Sequence, residues 1–228
     1  MNHPPQDSHF DVLNYSEWPE LEKGQTELEF HLIYQGKLPA ASQSSTRARD
    51  KQDIRKVFHR QLASLWNRSS FLLQFLAEDM RPDDPDPNAT KRPRHNYANM
   101  YQRCGYRFIP LVSKYFMVSC SLNILFLRRE GPGSLIKSGG DIDNRLKVLF
   151  DALRMPQTCD EVCGDSPDIG EDPFYCLLED DNLISKVSVE TNWLLAPLRD
   201  HERLNDVHLI IGVKTIVTDG LHYETAFH

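Results

Sequence analysis

The sequence predicts an α+β domain in which helices pack on a mixed β-sheet. Three observations carry that prediction. Five segments read as strands, at 27–34, 107–112, 115–128, 183–194 and 207–217. Two segments, 51–67 and 144–153, instead carry apolar stripes at helical spacing. The two kinds of segment interleave irregularly, unlike the regular alternation that builds a parallel doubly wound sheet.

In chain order, residues 1–26 are polar and acidic, with Pro4, Pro5 and Pro19, and read as an arm. In 27–34, Leu28, Phe30, Leu32 and Tyr34 fall on one face of a strand. Residues 36–45 form a loop. Over 51–67, Ile54, Val57, Phe58, Leu62 and Leu65 form a stripe, leaving Arg55, Lys56, His59 and Arg60 largely off it. A second short helix is expected at 71–80, and the proline and charge density of 81–96 predicts a loop. Strands at 107–112 and 115–128 follow, then a glycine-containing connection at 131–140. In 144–153, Leu146, Leu149, Phe150 and Leu153 face inward, and Pro156 stops the helix. Residues 158–173 read as an acidic loop. There is no internal repeat, and 27–217 reads as one domain followed by a tail at 218–228.

The chain has 228 residues, 40% of them hydrophobic, enough for one large domain with a sizeable core. No basic-then-apolar leader and no apolar run near the roughly 18 residues of a membrane span are present, so a soluble, cytoplasmic protein with no membrane partner is expected. Five cysteines, an odd number, argue against a disulfide framework. Cys159, Cys163 and Cys176 are weighed as zinc ligands, with free thiols the favoured reading. Trp18, Trp66 and Trp193 are expected in the core or a dimer interface.

The formal net charge of −7 runs against a broad nucleic-acid-binding face. Its distribution is uneven. Arg47, Arg49, Lys51, Arg55, Lys56, Arg60 and Arg68 cluster in one stretch, Lys91, Arg92, Arg94, Arg103 and Arg107 form a second group, and the acidic excess follows position 148. Arg55, Lys56, Arg60, Arg92, Arg94 and Arg145 are the candidate nucleic-acid contacts, against the plainer reading of a solvated helix face. His95 and Tyr97 beside Arg92 and Arg94 are further candidates, by stacking and charge.

The chemistry concentrates in two short runs. In Gly140-Asp141-Ile142-Asp143-Asn144-Arg145-Leu146-Lys147, an extended Asp-x-Asp points both carboxylates to one side. Asp143 or Asn144 suits a helix N-cap, and Lys147 follows one turn later. In Glu179-Asp180-Asp181-Asn182, adjacent carboxylates at a strand mouth repel unless a cation or solvent relieves them. Oxygen ligands of this kind suit Mg²⁺, an ion that orients a phosphodiester, activates water and stabilises developing charge. Lysine adds positive charge for the phosphate. Each run alone more often reflects capping or solvation; the combined spacing points to a phosphodiesterase site.

The run from Gly140 to Leu153, with Asp-x-Asp-Asn, a lysine three residues on and then Asp151-Ala152-Leu153, resembles the signature of the RusA family of Holliday junction resolvases. The later Asp180-Asp181 pair before a strand resembles that family's second half. The likeness covers about residues 137–154 and 177–195. It implies a RusA-like mixed sheet with helices on it, a homodimer, and Mg²⁺-dependent endonuclease activity on branched DNA, with Mn²⁺ as a substitute ion. Asp141, Asp143 and Asp181 then correspond to metal-binding carboxylates, Lys147 to the catalytic lysine and Asp180 to a supporting acid. The chain departs from the family in its large additions at 1–26, about 36–106 and about 155–176, and in its acidic total. The other readings are a non-catalytic nucleic-acid-binding or protein-interaction module on the same scaffold, and a carboxylate cluster that binds an ion only to hold the fold.

Overall fold

The structure, a computed structural model, describes residues 27–39, 46–69, 72, 93–129, 142–197 and 206–217, without the side chains of 46–47 and 93–96. The expected arm at 1–26, tail at 218–228, connection at 131–140 and nearly all of the expected helix at 71–80 lie outside these residues.

Strand β1 (Glu29–Gly36) is followed by helix α1 (Thr46–Arg68), helix α2 (Pro93–Met100), and strands β2 (Gln102–Arg103), β3 (Tyr106–Val112) and β4 (Val118–Arg128). Helix α3 (Ile142–Leu153), strand β5 (Phe174–Leu178), and strands β6 (Ile184–Trp193) and β7 (Val207–Val217) complete the order. The α+β class holds, with two mixed sheets rather than one. The first runs β1-β7-β4-β6, and the second β2-β3-β5. In the first, β7 lies antiparallel to both β1 and β4, and β6 lies parallel to β4 along one edge.

Two elements depart from the sequence reading. Helix α2 begins inside the expected loop, at Pro93. Proline is well placed there, because the first turn of a helix leaves its N–H groups without intrahelical partners. Strand β5 lies between the expected loop at 158–173 and the expected strand at 183–194, in residues to which the sequence assigned no element. Its five residues, Phe-Tyr-Cys-Leu-Leu, are all buried. A strand covered on both faces shows no alternation and gives no period-two signal.

Between the sheets, Leu32, Ile124, Phe126, Leu209 and Ile211 from the first sheet meet Ile54, Phe58, Leu62 and Trp66 of α1, Leu149 and Leu153 of α3, and Leu177 of β5. A smaller cluster, Tyr106, Phe108, Met155, Val162, Phe174 and Cys176, covers the other face of the second sheet. Trp66 is fully buried, whereas Trp193 at the end of β6 is 52% exposed, as is Val187 at 40% on the same strand.

Helix α1 is apolar-facing on more than its predicted stripe, because β1, β5 and α3 all contact it. His59, read from sequence as off the stripe, is buried and stacks on Phe174 with ring centroids 4.3 Å apart. Its Nδ1 accepts the Tyr175 N–H at 2.8 Å, so the ring proton sits on Nε2 and is donated to the Gly170 carbonyl at 3.1 Å. Burial holds the His59 pKa below its usual value of 6.5, outweighing the bond to Gly170. The unfolded chain therefore takes up this proton first as pH falls through about 6.5. The stability tied to neutral His59 is complete above that pH and is lost on acidification below it. Replacing His59 with Gln should cost about 1–3 kcal/mol near neutrality, from the unpaired Tyr175 N–H. Urea midpoints measured from about pH 8 to about pH 5 should show the gap between parent and variant closing as the solution is acidified. Parallel curves would exclude this role for His59.

Candidate active site

Helix α3 places Asp143 and Lys147 one turn apart at its N-terminal end. Their Oδ2 and Nζ atoms lie 3.8 Å apart, and both side chains are about two-thirds exposed, at 63% and 65%. The apolar side of the helix, Val148, Leu149, Ala152 and Leu153, is buried and fixes which face reaches solvent. Strand β5 delivers the second half. Its end is pinned on both sides: Glu179 N–H donates to the Val112 carbonyl at 2.9 Å, and Met155 N–H donates to the Leu178 carbonyl at 2.9 Å. Asp180, in extended conformation, then caps a short 3₁₀ turn at Asp181–Leu183, its Oδ1 accepting the Asn182 N–H at 3.0 Å. That turn contacts α3, so the two halves of the sequence constellation sit on neighbouring elements.

Asp181 is exposed, and its backbone carbonyl accepts the Ile184 N–H that closes the turn. Asp141 directly precedes α3 and lies outside the described residues. Among the described residues, no three His, Cys, Asp or Glu side chains are close enough to hold a metal ion together. The donor chemistry of Asp143 and Asp181 nonetheless fits Mg²⁺. Both offer hard carboxylate oxygens at the surface, where the ion keeps several of its waters.

Two residues to which the sequence assigned no role of their own hold this region. Gln157 Nε2 donates to Asp180 Oδ2 at 3.0 Å. Glu179 Oε2 accepts from the Lys114 N–H at 2.8 Å and from the Tyr101 hydroxyl at 3.2 Å. Burial pushes the Tyr101 pKa up, and the Glu179 carboxylate adds to that rise, so Tyr101 stays protonated and able to donate. Glu179 was visible as the first acid of the Glu-Asp-Asp run. Gln157 gave no signal, because its partner is distant in sequence.

The expected nucleic-acid contacts fare unevenly. Arg55 is 1% exposed and turned inward. It donates to Gln52 Oε1 at 2.6 Å, to the Asp151 carbonyl at 2.8 Å and to the Arg154 carbonyl at 3.3 Å, with Glu161 Oε2 at 3.5 Å from its Nη2. It is a packing residue, out of reach of a DNA backbone. Lys56 is engaged by Asp168 at 2.7 Å and Glu171 at 3.1 Å. Burial lowers the Lys56 pKa, but these two partners outweigh it and the net shift is upward. Arg145 donates to the Leu38 carbonyl at 2.7 Å. Arg60 is exposed. Arg92 and the side chains of Arg94 and His95 lie outside the described residues. Tyr97 is buried, hydrogen-bonded to the Pro110 carbonyl at 3.0 Å and to Ser113 Oγ at 2.9 Å, which removes it as a stacking platform for bases. Asp151, in the Asp-Ala-Leu run, pairs with Lys51 at 3.1 Å and Arg154 at 2.6 Å.

The cysteine expectation is also corrected. Cys104 and Cys159 form a disulfide, their Cα atoms 5.1 Å apart. Cys176 is buried and Cys163 partly so, both as free thiols. With Cys159 committed to Cys104, the zinc trio weighed from the sequence does not form, and the favoured free thiols hold for Cys163 and Cys176 but not for Cys159.

No protein-family model, curated protein or solved structure matches the chain, so the likeness in its two motif runs rests on those residues and their spacing.

Removing one partner of a buried ionic network leaves the others uncompensated. Arg55→Ala should therefore lower the free energy of unfolding by about 3–5 kcal/mol. Arg60→Ala should change it by no more than about 0.5 kcal/mol. Equal, small losses in chemical denaturation would show that Arg55 is not the anchor described.

Proposed function

We propose that this chain is a RusA-like, divalent-metal-dependent endodeoxyribonuclease that cuts branched DNA. The observation that carries the reading is the pairing of two neighbouring elements. One is α3, presenting Asp143 and Lys147 together at the surface; the other is the β5 end, presenting Asp180 and Asp181 against that helix.

Asp143 and Asp181, with Asp141, would hold Mg²⁺, and Mn²⁺ offers the same oxygen preference. When bound, such an ion supplies water activation and charge neutralisation at a phosphodiester. The residues of the chain do the rest. Lys147, exposed and beside Asp143, brings a mobile positive charge to the non-bridging oxygens of the phosphate as charge builds there. Asp180 acts through position. With both oxygens engaged, by Gln157 and by the Asn182 N–H, it fixes the turn that carries Asp181. The pathway is recombination, repair or mobile-element biology, in the cytoplasm. A homodimer follows from the family likeness.

One observation favours a second reading, a DNA- or protein-binding module without catalysis. Much of the basic character of α1 is spent on internal partners, leaving less positive surface for DNA than the sequence suggested.

The two readings separate on labelled four-way junction, flap and plain duplex substrates incubated with and without Mg²⁺. The nuclease reading expects metal-dependent nicking of a branched substrate. It expects Asp181→Asn and Lys147→Ala each to slow it by about 10²–10³-fold while DNA binding persists. Binding with no cleavage in any divalent metal, or full activity in Asp181→Asn, would falsify it.

A further inference from the structure

Gln157 is the only described side chain outside the 180–183 turn that holds Asp180, and its backbone and its side chain are held by different partners. Its backbone N–H donates to Glu161 Oε1 at 3.2 Å, and its side-chain carbonyl accepts from Arg103 Nη1 at 3.4 Å. The same Arg103 Nη1 donates to the Pro156 carbonyl at 2.8 Å. Arg103 ends β2, and the next two residues, Cys104 and Gly105, both take positive φ (54° and 81°) to turn the chain into β3. At the tip of that hairpin, Cys104 is joined to Cys159, two residues beyond Gln157. Beneath them the apolar cluster of Tyr106, Phe108, Met155 and Val162 joins the same two parts of the chain; at the surface the hairpin tip and Gln157 are fastened by one covalent bond and by contacts from a single exposed arginine. One of those contacts is long for a hydrogen bond, and both compete with water.

We propose that Gln157 is a positioning residue for Asp180, and that the Cys104–Cys159 disulfide keeps it in place, so that thiol reduction turns the candidate site down. The inference rests on the nuclease reading for its effect on cleavage. Its structural half does not. The chemistry is two-electron thiol–disulfide exchange with a small dithiol. One dithiol thiolate attacks a protein sulfur and the S–S bond breaks. The second dithiol thiol then displaces the protein sulfur and closes a cyclic disulfide, leaving Cys104 and Cys159 as thiols. A small oxidised disulfide reverses the exchange. Freed of the bond, the hairpin tip and the 157–159 stretch loosen at the surface, while the apolar cluster beneath and the ion pairs of Glu161 stay in place. Gln157 releases one oxygen of Asp180, and the 3₁₀ turn carrying Asp181 loses its outer support. Supporting groups of this kind shift metal affinity or activity by about 10–100-fold when removed.

The test uses the full chain in oxidised and dithiothreitol-reduced form, beside Cys104→Ser/Cys159→Ser and Gln157→Ala, all below the melting temperature of the reduced protein. Two readouts are taken: the Mg²⁺ dependence of junction cleavage, and the side-chain amide resonances of Gln157 by NMR. Reduction should slow cleavage or raise the Mg²⁺ midpoint by about tenfold. The double variant should match the reduced parent and ignore the dithiol, and Gln157→Ala should match both in oxidising buffer. The Gln157 amide protons should exchange with solvent faster on reduction. If those resonances and the Mg²⁺ midpoint are the same in both redox states, the inference is overturned and the nuclease reading stands. A dithiol response that persists in the double variant also overturns it and moves the sensitivity to Cys163. Faster Gln157 exchange with no cleavage in any state supports the positioning half, and sinks the nuclease reading together with the redox control of cleavage.

Discussion

The buried guanidinium of Arg55 is the interaction on which the rest of the arrangement depends. A charge that is 1% exposed survives only if its donors are met, and Arg55 meets them with Gln52, the carbonyls of Asp151 and Arg154, and Glu161. Burial drives its pKa down, but an arginine stays charged through any such shift in the physiological range. The partners come from α1, the C-terminal end of α3 and the turn beyond it. One side chain therefore fixes the angle at which α3 leaves the core, and with it the direction in which Asp143 and Lys147 face.

Around Arg55 the same logic repeats at the surface. Arg49 pairs with Asp165, Lys51 with Asp151, and Lys56 with Asp168 and Glu171. Solvent-exposed pairs contribute little each, roughly 0–1 kcal/mol, and of these four Arg49–Asp165 and Lys56–Asp168 have an exposed partner while Lys51–Asp151 and Lys56–Glu171 are partly buried. Their number gives register rather than strength: the acidic segment after α3 docks along α1 in one alignment. This accounts for the uneven charge of the sequence. The basic run of α1 and the acidic excess after position 148 are two halves of one intramolecular contact. Net charge alone weighed against nucleic acid, and the basic cluster alone weighed for it. Neither inference used the partner that each charge has in the fold.

Legibility in the sequence followed the range of the interaction. Strand β7 and helix α3 were readable to within two residues, because alternation and the helical stripe are local consequences of one buried face. Strand β5 was not readable, since burial on both faces erases alternation. Arg55, His59 and Tyr97 were misjudged for one reason. A polar or amphipathic side chain reveals its burial only through partners that lie 99, 116 and 16 residues away. The site divides in the same way. Asp143 and Lys147 were found by spacing within one helix, and Asp180 and Asp181 by adjacency. Gln157 and the Cys104–Cys159 bond required knowing that a hairpin tip meets a turn 55 residues further on.

The exposure of the carboxylates bears on what an ion would do there. Asp143 sits in the first turn of α3, where the helix dipole favours a negative charge, with Lys147 one turn away. Asp180 has both oxygens engaged by donors of the chain, and Asp181 faces solvent. Each described acid is thus relieved without a cation, and the core side chains of α3 and β5 pack independently of them. An ion needed to hold the fold would be expected to join charges that otherwise repel in a buried place. These are arranged to tolerate one another in water, at a surface that a phosphodiester can reach. Under the proposed nuclease reading, that balance suits an ion recruited for chemistry better than one recruited for structure.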